Sequence, residues 1–343
     1  MIYQYSGVVH IHSFYSDGSA DFKGIAKAAS KAGAKFILIN DHDTLAGLHR
    51  EGEQYLHGVL VLVGSEVTPK KNHFLCYDIN SVPSNKLLPH QYVSQVYEQG
   101  GFGFLAHPDH KENPMFPGKM NWEDWDLDNA VGLEIWNYFS QWMASFKNKK
   151  GLLKSFLFPK ATLSPPRSET LLKWDRLGKQ RPVPAIAGVD AHGGRQLSWI
   201  PNILSSYKYQ FKTFRTHILA KEPLKGIVHR DRHIILSAIK SGRSYLVNHC
   251  AGRVEHFQFY LQHLNNQWHM GEEVKQRPNM SLNVILPTKA HMKVIKDGKL
   301  LLQRKTNFLR LPNPDPGVYR VEVYKGHVRP RPWIFSNHIY IRN

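Results

Sequence analysis

The stretch VVHIHSFYSDGSA, residues 8–20, runs from a short apolar segment straight into His10, His12 and Asp17. A strand followed by a polar turn would explain the change of character. So would a metal site built at the end of a strand. Two histidines two residues apart on a strand share one face, so the second reading makes a test: other strands should deliver similar residues at the same end.

Apolar runs recur at Gly7–His10, Phe36–Ile39, Val59–Val63, Phe74–Tyr77, Phe102–Leu105, Val131–Trp136 and Val183–Ala187. They are rich in Val, Ile, Leu and Phe and show little alternation, as expected of strands buried on both faces. Helix-like stretches separate several of them. The clearest is Asp21–Ala32, with Asp21 placed as N-cap and Gly33 as the stop. Others fall at about Leu45–Leu56 and Pro89–Gln99. This alternation predicts a parallel α/β sheet, open or closed into a barrel.

Most of the runs pass the test. His42 follows FILIN in NDHDT, Glu66 follows VLVLVGS, His73 opens HFLCYDI, His107 follows FGFLA in AHPDH, and Asp190 and His192 follow VPAIAGV in GVDAHGG. In parallel α/β folds the carboxyl ends of the strands form the face where active sites assemble. A single histidine there reads as a hydrogen-bonded loop residue; so many placements in one register read as a cluster. Imidazole and carboxylate without thiolate suits Zn, Mn or Fe. The ligands outnumber what one ion can use, so two or three ions sharing carboxylates are expected, a count suited to hydrolysing esters through metal-activated water.

HxH followed by SDG, then NDHDT, GSE, AHP and GVDAHG in this order, over about residues 8–195, resemble the motifs of the PHP (polymerase and histidinol phosphatase) superfamily. The resemblance implies a distorted seven-stranded (β/α) barrel with a di- or trinuclear metal centre. It implies that His10, His12, Glu66 and Asp190 hold one ion, with Glu66 bridging to a neighbour. Asp17, His42 and His192 would hold a second, and His73 and His107, with Glu66, a third. Asp17 stands where some members have histidine, and His73 lies at the start of its strand rather than its end. The tail GVYRVEVY…RPWIFSNHIYIRN is similar to the C-terminal sandwich of a branch that includes carbamate-ester hydrolases.

Other residues carry weaker expectations. His110, Lys111 and Arg195 adjoin motif residues and are candidates to meet a substrate anion, and Arg195 joins Asp190 and His192 as a catalytic candidate. Asp109 is a candidate proton donor. Trp122 and Trp125 read as core or lid packing before base stacking, and Asp41, Asp43, His49 and His57 as capping or helix-surface residues. The histidines from His217 onward show no ligand spacing.

The chain has 343 residues with 42% apolar residues, enough for a barrel and an attached domain. The expected division is a metal-binding barrel over 1–224, with a basic helical insertion near 141–180, and an antiparallel β-sandwich over 225–343. Asp297–Gly298 is a hairpin cue within the latter. Cys76 and Cys250, the two cysteines, read as small buried hydrophobes and fit a reducing cytosol. The N-terminus has no leader-like pattern, and no run approaches the roughly 18 apolar residues of a membrane span, so a cytoplasmic protein without membrane contact is expected.

The net charge of +18 is uneven: residues 1–140 carry 10 Lys/Arg against 16 Asp/Glu, and residues 141–343 carry 35 against 11. A basic field beside an acidic pocket suits an anionic small molecule or nucleotide, with weak, salt-sensitive nucleic-acid contact as a side effect. The sequence therefore points to a metal-dependent hydrolase, with a phosphomonoester, nucleotide or oligonucleotide as substrate. The alternatives are a carboxyl- or carbamate-ester hydrolase, or a nucleic-acid-binding protein whose metal site is not catalytic.

Overall fold

In a computed structural model, which describes residues 2–115, 118, 120–125, 131–158, 163–194 and 206–343, the N-terminal strands are β1 (Tyr3–Ile11), β2 (Phe36–His42), β3 (Gln54–Leu56), β4 (Val59–Val67), β5 (Phe74–Tyr77), β6 (Phe102–Leu105), β7 (Gly132–Asn137) and β8 (Ala185–Gly188). Pairing runs β1–β2–β4–β5–β6–β7–β8. The ring closes where Val189 N–H donates to Val9 O (3.0 Å) and His12 N–H to Ala191 O (2.9 Å). Seven strands thus form the ring, as the resemblance implied, and β3 lies outside it as a hairpin partner of β4.

All neighbours in the ring are parallel except β5, which runs antiparallel to both β4 and β6. Six residues, Thr68–His73, separate β4 from β5. A parallel crossover needs a dozen or more, so the chain turns back. The start of β5 therefore lies beside the ends of the other strands, and His73 falls on the same face of the barrel as His42 and Glu66.

Successive residues alternate between two cores. Val9, Leu38, Leu62, Leu75, Phe104 and Ile186 point one way and fill the barrel. Val8, Ile37, Val61, Cys76, Leu133 and Ala185 point the other way, toward the helical layer. There α1 (Phe22–Ala32) lays down Phe22, Ile25, Ala26 and Ala29. Asp21 caps it by accepting from Gly24 N–H, and Gly33 ends it in the left-handed region at φ 83°, as its residue types predict. The helix expected over 45–56 is shorter: α2 spans Ala46–Glu51, and after Gly52 the chain extends into β3. Then come α3 (Pro89–Glu98), α4 (Tyr138–Ala144), α5 (Lys149–Leu157), α6 (Ser168–Gln180), α7 (Tyr207–Gln210) and α8 (Val228–Lys240). Ile235 and Ile239 of α8 join the barrel-filling core beside Phe36 and Phe102, the first residues of their strands, so α8 closes the end opposite the histidines.

The remaining strands are β9 (Phe214–Ala220), β10 (Ser244–Asn248), β11 (Gln258–His263), β12 (Asn266–His269), β13 (Glu273–Lys275), β14 (Ser281–Lys296), β15 (Lys299–Pro312), β16 (Gly317–Lys325), β17 (Arg331–Ser336) and β18 (Ile339–Arg342). Except for β13 with β18, they pair antiparallel around a separate core that includes Phe259, Leu282, Val294, Val321 and Trp333. The sheet continues from β1 through β9 and β10 to β17. Asp297 and Gly298, at φ 53° and 81°, make the expected tight turn between β14 and β15. The strand expected over 334–341 is two, β17 and β18, broken at Asn337–His338.

The basic segment near 141–180 supplies α5 and α6 between β7 and β8. Asp175 of α6 accepts from Arg320 Nε (2.8 Å), Arg320 Nη2 (2.9 Å) and His338 Nε2 (2.8 Å). All three residues are buried, so α6 is clamped to the C-terminal sheet. Cys76 is buried and Cys250 only partly so, and neither takes part in a disulfide.

Candidate metal centre

His10, His12, Asp17, His42, Glu66, His73, His107, Asp190 and His192 all come together at the carboxyl end of the barrel. The alternation that buries Leu38 and Leu62 carries on to aim His42 and Glu66 inward. Three of the nine, His10 (φ 64°), His107 (φ 30°) and Asp190 (φ 54°), have left-handed backbone. Such conformations cost a non-glycine residue of order 1–3 kcal/mol and gather at functional sites.

His10 Nε2 lies 3.3 Å from Glu66 Oε2 and 3.5 Å from Asp190 Oδ1; His12 Nε2 lies 3.5 and 3.3 Å from the same two oxygens. Four donors at about 2.1 Å from one tetrahedral ion would stand about 3.4 Å apart. Around His12 Nδ1 a second group forms. Asp17 Oδ1 is 4.0 Å away and 3.4 Å from His192 Nε2, while Asp17 Oδ2 is 3.5 Å from His42 Nε2. Glu66 Oε1 faces a third, 3.0 Å from His73 Nδ1 and 3.4 Å from His107 Nε2. His12 thus borders two groups, and Glu66 contributes one oxygen to each of two.

The buried ring atoms His10 Nε2, His12 Nδ1 and His12 Nε2, with Glu66 Oε2, have no hydrogen-bond partner. Buried polar atoms are rarely left so, and bare imidazole and carboxylate donors in this spacing fit divalent ions.

The charges are mutually arranged. Burial opposes ionisation of Glu66 and Asp190, but the surrounding imidazoles, His10 foremost, hold both carboxyls well below their usual range. Burial also opposes a charge on His42, yet Glu66 and Asp17 raise it to about 10. His12 has burial and the neighbouring His192 and His42 against it and falls to about 3.

Two residues that the sequence reading missed organise the cluster. Glu134, buried in the middle of β7, accepts from His10 Nδ1 (2.9 Å), His107 N–H (2.7 Å) and Asn137 Nδ2 (3.0 Å). Because a carboxylate only accepts, Glu134 holds a proton on His10 Nδ1 and leaves Nε2 as the atom that faces the interior and could bind an ion. Gly188 makes the space, since a Cβ there would overlap the Glu134 carboxylate. Asp41, expected to be a capping residue, is buried. It accepts from Ser13 N–H (2.7 Å), Ser13 Oγ (2.6 Å) and Ser16 Oγ (2.7 Å) and so folds the turn that carries Asp17. A carboxylate inside a buried strand, as in VGLEIWN, was the available signal for Glu134.

The weaker candidates separate. His110 is buried behind His107, its Nδ1 2.9 Å from Ser140 Oγ. Lys111 is exposed on the loop, and Arg195 lies outside the described residues. Asp109 bonds to Thr170 (2.8 Å) and lies 3.6 Å from Arg167. Trp122 packs on Phe74 and Tyr92, and Lys173 lies over Trp125, as packing roles require. A cavity of about 430 Å³ opens onto the cluster, walled otherwise by Thr68, Met120, Phe139 and Met143.

No protein-family model matches the chain. An uncharacterised protein of Methanocaldococcus jannaschii is 28% identical over 112 residues, 29% of this chain. The match spans 66% of that protein, slightly under two thirds of its length. Among solved structures, a two-domain protein of Bacteroides vulgatus, described as containing a "predicted PHP-like metal-dependent phosphoesterase", aligns over 99% of this chain and 95% of its own at 15% identity, with a TM-score of 0.43. A Bifidobacterium adolescentis protein described as a "putative metal-dependent phosphoesterase" covers 55% of this chain and 87% of its own, at 15% identity and TM-score 0.33. An amidohydrolase of Chromobacterium violaceum covers 54% and 87%, at 13% identity and TM-score 0.31. Likeness of this degree carries no activity to the present chain.

Proposed function

We propose that the chain is a metal-dependent hydrolase of the PHP type that cleaves phosphate esters, with a phosphomonoester, nucleotide or oligonucleotide as substrate. One observation carries the reading: eight His, Asp and Glu side chains fall into groups at the mutual spacing of metal ligands, some of their buried donor atoms are bare, and the cluster opens onto a cavity.

His10, His12, Glu66 and Asp190 would hold one ion, Asp17, His42 and His192 a second, and His73 and His107 with Glu66 a third, as Mn, Zn or Fe. Bound there, the ions would supply an acidified water and positive charge for the ester oxygens. The chain's own groups prepare the site. Glu134 fixes the His10 tautomer. His192 Nδ1, 3.1 Å from the Asp190 carbonyl, donates there and frees Nε2 to face Asp17. Thr68 Oγ1, 2.8 Å from His42 Nδ1, orients that ring. Met120, Phe139 and Met143 limit water at one wall and leave room for a small organic group.

The test is elemental analysis paired with a panel of nucleotides, sugar phosphates, short oligonucleotides, and carboxyl and carbamate esters. The proposal expects at least two ions per chain and turnover of a phosphate ester that ends on chelation. Less than one ion after supplementation with Mn or Zn refutes the metal site. Turnover confined to carboxyl or carbamate esters refutes the substrate class.

A further inference from the structure

A second cavity, of about 390 Å³, lies at the C-terminal end of α1, between α7 and the loop after β10. The His12–Asp17 turn leads into the opposite end of the same helix, and α1's 11 residues separate the two places by roughly 16 Å. Four of its eight lining residues are basic, Lys212, Arg215, Arg253 and His249, and none is Asp or Glu.

Arg215 is the unusual member. It is 1% exposed, and a buried guanidinium ordinarily sits against a carboxylate. Here Nε donates to Phe211 O (2.7 Å), Nη1 to Ser6 Oγ (3.1 Å) and Nη2 to Ala32 O (2.8 Å). These acceptors are neutral. They use three of the five N–H groups and leave the charge unbalanced. Among the described residues neither Lys212, Arg215 nor Arg253 forms an ion pair. Beside them His249 Nε2 lies 2.9 Å from His217 Nε2, so at least one ring of that pair is neutral. Burial, with Arg215 and Arg253, lowers His249 to about 3. The local field is thus positive, set by one buried cation and two exposed ones that line the same cavity.

We propose that this cavity is an anion site that binds the phosphate group of a small molecule, with the Arg215 guanidinium at its base and Lys212 and Arg253 closing over the oxygens. An oxyanion of two or more charges would balance the buried guanidinium and the two exposed cations together, and charge-assisted bonds to phosphate are the strong ones. The volume falls in the range of small-ligand pockets and admits more than one phosphate group. The site is independent of the metal centre.

The probe is inorganic pyrophosphate, titrated calorimetrically at physiological salt into the full chain and into a Lys212→Ala/Arg253→Ala double variant. Both residues are exposed, so the variant should fold, with metal content and ester hydrolysis unchanged. The expected result is one equivalent fewer bound by the variant, or affinity for that equivalent weakened by about tenfold or more. Identical titrations, or no binding by the wild type, would overturn the site. A short oligonucleotide forms the second arm. If the substitutions abolish its binding and spare that of pyrophosphate, the cavity is a nucleic-acid contact and the small-molecule assignment is wrong.

Discussion

Replacing Glu134 with Gln changes one oxygen to an amide nitrogen inside the barrel and should weaken metal binding without emptying the site of side chains. Glu134 Oε2 serves two donors, His107 N–H and Asn137 Nδ2, whereas Oε1 serves His10 alone. The single oxygen of Gln satisfies more donors by taking the Oε2 position. Its NH2 then faces His10 Nδ1, which can only accept, so the His10 proton moves to Nε2, the atom 3.3 Å from Glu66 Oε2. A ligand nitrogen becomes a capped one. Outer hydrogen bonds of this kind are worth about 10- to 100-fold in metal affinity, or about 1.4–2.7 kcal/mol. The measurement is Mn or Zn titration of chelated protein by calorimetry, with thermal melting as a control for folding. Retention of wild-type affinity and stoichiometry by a folded Glu134→Gln protein would refute the claim that β7 sets the tautomer of His10.

Gly188→Ala should act on the same contact from the other side, since its Cβ would displace the Glu134 carboxylate; a comparable loss of metal affinity is expected, and none would show that the strand moves freely. Asp190→Ala or His192→Ala should remove metal and hydrolysis while the far-ultraviolet β signal of the C-terminal sheet persists, and a variant that keeps most of its turnover would exclude that residue from the site. The Asp175–Arg320–His338 clamp predicts a pH dependence. His338 is held below its usual value chiefly by burial, against the pull of Asp175, so the unfolded chain alone takes up its proton and stability is lost as pH falls below about 6.5. Burial would raise Asp175, but His338 and Arg320 outweigh it and lower it; its contribution is full above about 3.9 and is lost as pH falls toward its lower folded value. Urea midpoints between pH 7 and 4 should therefore decline, and His338→Gln should flatten the upper part of that decline relative to wild type.

What could be read from the sequence was whatever repeats with the strands. Every barrel strand but β5 ends at the same face, so a His, Asp or Glu placed after an apolar run reaches the cluster whatever the local details. His42 and Glu66 needed only the period of two. The parts that stayed hidden depend on which face a buried residue takes, or on how long a segment must be to cross back. Glu134 sits among Gly, Leu, Ile and Trp and reads as a strand residue of unknown facing; only closure of the ring turns it toward His10. Asp41, two residues beyond Ile39 in FILIND, looked like a cap because its partners, Ser13 and Ser16, come from another strand's loop. The reversal of β5 was within reach, because the ten residues between the runs ending at Val63 and starting at Phe74 fall short of the dozen that a parallel crossover needs, and it would have placed His73 without any appeal to register. The buried cation Arg215 marks the limit. In TFRTHIL it alternates with Phe214 and Thr216 as any strand residue would, and only the fold shows that no carboxylate comes to meet it.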